Sequence, residues 1–272
     1  MIPDKLKADY SDMYEVSIRL MPDGLSFSGH IPSERDSFFS ETFRFDSNLP
    51  AVDSLKNIFF TNPCFSYHFL ACFVLCVTGQ YTLTPDAVFI ENEKNRSFHF
   101  CHPKNNSLKI LVHPVKKLNI FLTYGFEEDI YAFLVRSLVN PQFIHSLSPV
   151  LNYWQKKSLM LYPKQLHVII REGMIDVVCM QQGELLFANS FSYDSDSDII
   201  YYIMYICRQT GFSQLEDDLS LSGNQNRCRS VLSVVSNYIS KAVCYQPELT
   251  DHPSSSGHNL PLDTVALIEC GS

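Results

Sequence analysis

From Tyr14 the chain alternates apolar and polar residues. In YEVSIRLM, Val16, Ile18 and Leu20 fall on one side, the period of a strand with one buried face. Pro22-Asp23-Gly24 interrupts the pattern as a turn. LSFSGHI resumes it with Leu25, Phe27 and Gly29 on one face, the stretch from Pro32 to Arg35 turns again, and FFSETFRF follows as a third strand. A three-strand antiparallel meander is predicted. The period then changes in AVDSLKNIFF, where Val52, Leu55 and Phe59 stand at helical spacing.

The same succession recurs. LHVIIREG, MIDVVCM and ELLFANSFSY read as three strands with turns at Glu172-Gly173 and Gln181-Gln182-Gly183. DSDSD then opens the helical segment DIIYYIMYICRQTG, which Gly211 stops. Within this order FSETFRFDSN (39–48) matches FANSFSYDSD (187–196), pairing Phe39 with Phe187, Phe43 with Phe191 and Phe45 with Tyr193. These are expected to be the third strand and helix cap of two equivalent halves, 1–157 and 158–272.

Further strands are expected at 71–83, at SLKILVHP and LNIFLTYG, and at 217–223. Helices are expected at 126–138, from about Ser148, and at 229–243. The helix at 198–209 is apolar all round, which predicts burial between layers. The tail after Leu260 reads as helix, with strand as the alternative, and DHPSSSGHN reads as a loop. The fold class is α/β with mixed sheets.

Composition narrows the function classes. The 272 residues are 46% apolar and 18% charged, which is globular. A net charge of −8 and no Lys/Arg stripe argue against nucleic acid as a partner. The longest apolar run, FLACFVLCV, is half of a membrane span, and no apolar leader opens the chain. A cytoplasmic protein whose nine cysteines are reduced and mostly buried is expected. Cys72 and Cys76 share a strand face and read as core thiols, and His99, Cys101 and His102 lack a second ligand pair, so no metal site is assigned.

Other clusters have structural explanations. DSDSD lacks the sixth-position glycine and twelfth-position acid of a calcium loop, so Asp194, Ser195 or Asp196 is expected to cap a helix. Asp46 and Ser47 would do the same in the first copy. Glu127-Glu128-Asp129 fits a helix first turn, and Glu216-Asp217-Asp218 a solvated turn. Ser146 or Ser148 is expected as a cap, His167 as a hydrogen-bonded core histidine, and Trp154 in packing.

The duplicated order of strands and helices, the stretch VIIREGMIDVVCMQQGELLFANSFSYDSDSDIIYYI and the strand DDLSLSGN together resemble the actin-like ATPase superfamily, with its ribonuclease-H-like halves. They look like the corresponding region of actin-like pilus-assembly and secretion proteins. With VHPVKKLNIFLTYG and FIHSLSPVLN added, the chain resembles a small family of bacterial proteins of unknown function with this fold. The resemblance places an adenosine-binding position at Ser222, Gly223 and Asn224, with one glycine instead of two.

It also implies Asp-x-Gly motifs in the first hairpin of each half, where glycine lets backbone N–H groups approach phosphate. The hairpins here are IRLMPDGLSF and IIREGMID, and neither has the motif. A scaffold or adaptor acting through an unidentified protein partner is therefore expected, without ATP hydrolysis. The alternative is a nucleotide-binding switch or weak ATPase that takes ATP and Mg²⁺ between the halves. If the side chains of Arg19, Met21 or Arg171 fill that space, no triphosphate fits.

Overall fold

The computed structural model describes residues 6, 8–34, 36–249 and 260–270. They form two compact units: the first holds described residues up to 114, 120–148 and Leu249, and the second holds 115–119, 149–248 and 260–270.

The first unit opens with β1 (Glu15–Met21), β2 (Gly24–His30) and β3 (Phe39–Arg44), followed by α1 (Ala51–Thr61) and β4 (Ala71–Cys76). Next come β5 (Tyr81–Pro85), α2 (Lys94–Cys101), β6 (Leu108–Val115), β7 (Ile120–Glu127), α3 (Glu128–Ser137) and β8 (Gln142–His145). The main sheet has the order β3-β2-β1-β4-β8, with the first three strands antiparallel and β1, β4 and β8 parallel. A second sheet, β5-β7-β6, lies in the connection between β4 and β8.

The link α4 (Leu147–Ser158) leads to β9 (Gln165–Ile170), β10 (Met174–Gln181), β11 (Glu184–Ser192), α5 (Asp196–Thr210) and β12 (Asp218–Gly223). The unit continues with α6 (Gln225–Val235), β13 (Lys241–Cys244) and α7 (Leu262–Cys270). Its sheet order, β11-β10-β9-β12-β13, repeats the first strand for strand and direction for direction. Register confirms the paired stretches: Phe43 lies opposite Leu25, and Phe191 lies opposite Ile175.

Packing follows the alternation. In the first unit the buried Phe27 touches Phe39 and Phe65 at 5.3 and 4.7 Å between ring centroids, and Phe59 of α1 stacks on Phe65 at 4.4 Å. In the second, Val168, Val177, Ile199, Ile203, Leu221 and Val231 share one core, against which Phe187 and Phe191 are half-buried. Each fully buried side chain of this size contributes about 1.5–3 kcal/mol of transfer free energy.

Several expectations need correction. Segment 71–83 is two strands, since the chain turns between β4 and β5 before pairing with β7. Helix α5 is amphipathic: Ile199, Ile203, Ile206 and Cys207 are buried, whereas Tyr201 and Tyr205 stand in solvent, because a tyrosine ring can leave its hydroxyl wet. The helix expected at 229–243 starts at Gln225, capped by Asn224, and ends at Val235, leaving 241–244 as the edge strand β13. Helix α2 was not foreseen, because its polar sequence buries Phe98 alone. The tail is helical, and the loop expected at 251–259 lies outside the described residues.

Caps differ between the copies. Ser195 caps α5 as expected, and Asp198 Oδ2 accepts from the backbone N of Ser195 at 2.9 Å and of Asp194 at 3.1 Å. In the first copy Pro50 is the cap. Asp46 instead closes a turn by accepting from Asn48 N at 2.9 Å, which holds its carboxyl below the usual carboxylate range.

Candidate functional site

The positions singled out at the end of β12 are engaged within their own unit. Ser222 is buried and its Oγ donates to Val168 O at 3.5 Å, the limit of a hydrogen bond. Gly223 has φ +100°, and a Cβ there would lie 2.2 Å from Ile170 O. Glycine is required because this strand end presses on the backbone of β9. Asn224 N donates to Ile170 O at 2.9 Å, and its side chain accepts from Arg227 N at 3.2 Å, capping α6.

Next to them, the β9–β10 turn carries a buried charge cluster. Arg171 Nε donates to Asp176 Oδ2 at 2.7 Å and Nη1 to Asp263 Oδ2 at 2.9 Å. Both carboxylates are almost fully buried, and the arginine is 9% exposed. Burial pulls the guanidinium pKa down, but Asp176 and then Asp263 more than offset it, so the pKa is raised. Ser190 Oγ donates to Asp176, Thr264 N donates to Asp263 at 2.9 Å, and Tyr193 Oη donates to Arg171 O at 2.5 Å. Among the described residues, the cluster is one guanidinium held between two carboxylates.

Sequence reasoning noted Arg171 but missed both partners. The signal was present: Asp176 is a lone acid in the apolar strand MIDVVCM, and Asp263 is one in LDTVAL. A buried carboxylate needs a cation or several donors. Of the other residues raised as filling a triphosphate site, Arg19 is buried in the first sheet and Met21 ends β1.

The remaining candidates have structural roles. His167 is buried on β9, with Nδ1 2.6 Å from Ser220 Oγ and its ring stacked on Trp154 at 3.6 Å. Burial, aided by Lys157, pushes its pKa down to about 3, so the imidazole is neutral at ordinary pH. His145 Nε2 donates to Thr78 O at 2.8 Å, and its Nδ1 accepts from Leu147 N at 3.1 Å. That ring therefore meets the first turn of α4, while the buried Ser148 Oγ, expected as a possible cap, has no hydrogen-bond partner among the described residues.

Asp217 corrects the expected solvated turn: it is buried and accepts from Lys164 N at 2.7 Å and Ser213 N at 2.6 Å. Glu127 and Glu128 do open α3, and burial followed by Asp129 raises the Glu127 pKa. Cys72 and Cys76 are buried thiols; burial raises both, Cys72 to about 12. His102 Nε2 lies 2.9 Å from Tyr81 O, and Cys101 is exposed. Among the described residues no three His, Cys, Asp or Glu side chains gather as a metal site, and no helix is long and apolar enough to cross a membrane.

A family profile for a protein of unknown function, DUF3822, matches residues 3–242. The chain belongs to the DUF3822 family. Among solved structures it is similar to a Bacteroides thetaiotaomicron VPI-5482 protein with an actin-like ATPase fold and unknown function. That match has 26% identity and a TM-score of 0.86 over 99% of this chain and 100% of the other. It is also similar to the PilM-PilN type IV pilus biogenesis complex, at 9% identity and a TM-score of 0.56 over 93% of this chain and 96% of the other. The first match, together with the two mixed five-stranded sheets, shows that this DUF3822 protein has the actin-like ATPase fold. Comparison with curated proteins returns no match.

Proposed function

We propose that this DUF3822 protein is a non-catalytic member of the fold that works as a scaffold or adaptor for another protein. The observation that carries this reading is the Arg171 cluster. In a hairpin where the superfamily resemblance implies a phosphate-binding motif, the one guanidinium is already shared between Asp176 and Asp263. An incoming phosphate would compete with two buried carboxylates for the same guanidinium. The close approach at Gly223 points the same way, because the room a side chain would need there is taken by the protein's own backbone. PilM, the pilus protein similar in fold, is found in a complex with PilN, which supports a protein partner as the object of the scaffold.

Calorimetry of the full chain with ATP and ADP, with and without Mg²⁺, tests the reading. No saturable heat at millimolar nucleotide is expected, and micromolar binding would overturn it. The alternative is a nucleotide switch using Ser222, Gly223 and Asn224. It draws on the N-terminus of α6 directly after that glycine, a place where backbone N–H groups suit anions. The same titration decides between them.

A further inference from the structure

Four consecutive apolar side chains stand in solvent where α4 ends. Leu159, Met160, Leu161 and Tyr162 are 48%, 89%, 42% and 79% exposed. Single exposed apolar residues are ordinary on a protein surface, but a run of four is not. The backbone beneath them is held from two sides. Leu161 N donates to Ser158 O at 3.0 Å, Gly183 N to Ser158 Oγ at 3.2 Å, and Gln181 Nε2 to Tyr162 O at 2.8 Å. Gly183 matters for its size: a Cβ there would lie 2.7 Å from Leu159 Cδ2. The segment is thus an exposed apolar run fixed in place, so little ordering remains to be done on contact.

Three lysines, Lys156, Lys157 and Lys164, flank the segment in sequence, and no Asp or Glu occurs from 130 to 171. Lys156 is exposed in the last turn of α4. Lys157 Nζ donates to Tyr245 Oη at 3.0 Å, and Lys164 Nζ to Gly211 O at 2.6 Å. Both acceptors are neutral, so neither bond cancels an ammonium charge. The carboxylates on neighbouring elements are Glu184, exposed at the start of β11, Asp217, buried under the Lys164 backbone, Asp218, half-buried with its N donating to Lys164 O at 2.9 Å, and Glu269 on α7, whose charge reaches Tyr153 beside Lys157.

We infer that segment 159–162 is a shallow membrane contact, seating its apolar side chains in an anionic bilayer while Lys156, Lys157 and Lys164 face lipid phosphates. A bilayer is a soft apolar phase that accepts such a run without a shaped groove, and tyrosine suits its interface. Each lysine brought to an anionic surface strengthens binding about fivefold.

The test is flotation of the full chain with phosphatidylcholine vesicles and with vesicles containing about 30 mol% phosphatidylglycerol. Association is expected with the anionic vesicles, falling as salt is raised. The double substitution Met160→Asp with Tyr162→Asp should reduce it at least tenfold without moving the thermal midpoint. Should that variant fold poorly, Met160→Ser with Tyr162→Ser serves in its place. Glu184→Lys should raise binding severalfold. Absence of flotation with anionic vesicles, equal flotation with both vesicle types, or flotation untouched by the double substitution would each overturn the inference. Protection of the segment by a protein, without vesicle binding, would do the same.

Discussion

The β1–β2 and β9–β10 hairpins occupy the same place in two sheets of the same order, and their ends use charge in opposite ways. Register aligns Leu20 with Ile170, each opposite the first core residue of the returning strand, so Met21 corresponds to Arg171 and Ser26 to Asp176. The first turn keeps its ion pair outside: Arg44 meets Asp23 at 3.0 Å with side chains 81% and 61% exposed. The second turns its arginine inward onto two buried carboxylates. Strand order therefore does not dictate the chemistry of a turn. Burial does, because it sets whether an ion pair is optional or obligatory.

Breaking each pair in turn puts numbers on that contrast. Arg171→Met should produce the largest loss, about 3–5 kcal/mol in denaturant unfolding of the second unit, because it takes the shared guanidinium away from two buried carboxylates. A loss below about 1 kcal/mol would show that Asp176 and Asp263 take up protons or reach water.

A second test uses position 167. Counting back from the turns, His167 corresponds to Ser17, which bonds Ser28 at 2.8 Å and does not titrate. The unfolded chain protonates His167 below about pH 6.5, whereas the folded chain resists until about 3. The second unit should therefore lose up to a few kcal/mol as pH falls through that window, and keep that contribution above it. His167→Phe should flatten that part of the stability–pH profile, and an unchanged slope would contradict the assignment. The smallest effect is expected at the exposed pair: Asp23→Ala should cost at most about 0.5 kcal/mol in the same unfolding measurement.

The repeated meander was legible because its strands alternate cleanly and its turns carry Gly, Pro and Asp. Where sequence reading failed, local pattern and tertiary role diverged. Val231, Val235 and Ile239 are all buried at four-residue spacing, so the helical period runs past the end of α6 and hides β13. The reading of 71–83 as one strand overlooked Gly79, whose turn separates the core strand β4 from β5 of the small sheet. At the candidate site, the place of Ser222, Gly223 and Asn224 was visible in the order of elements. The partnership of Arg171 with Asp263 was not, because it spans 92 residues and no local spacing encodes it.

That span also sets an order of events during synthesis. Translation at roughly 5–20 residues per second delivers the Asp263 carboxylate about 5–20 s after Arg171. Until then the arginine has Asp176 as its acidic neighbour in the growing hairpin, a neutral pair that water can still reach. Arrival of α7 adds the second carboxylate and the apolar cover of Val265, Ala266 and Leu267. Helix α7 thus acts as a late clasp, and the charge cluster of the nascent sheet is sealed only once residues 262–270 have been made.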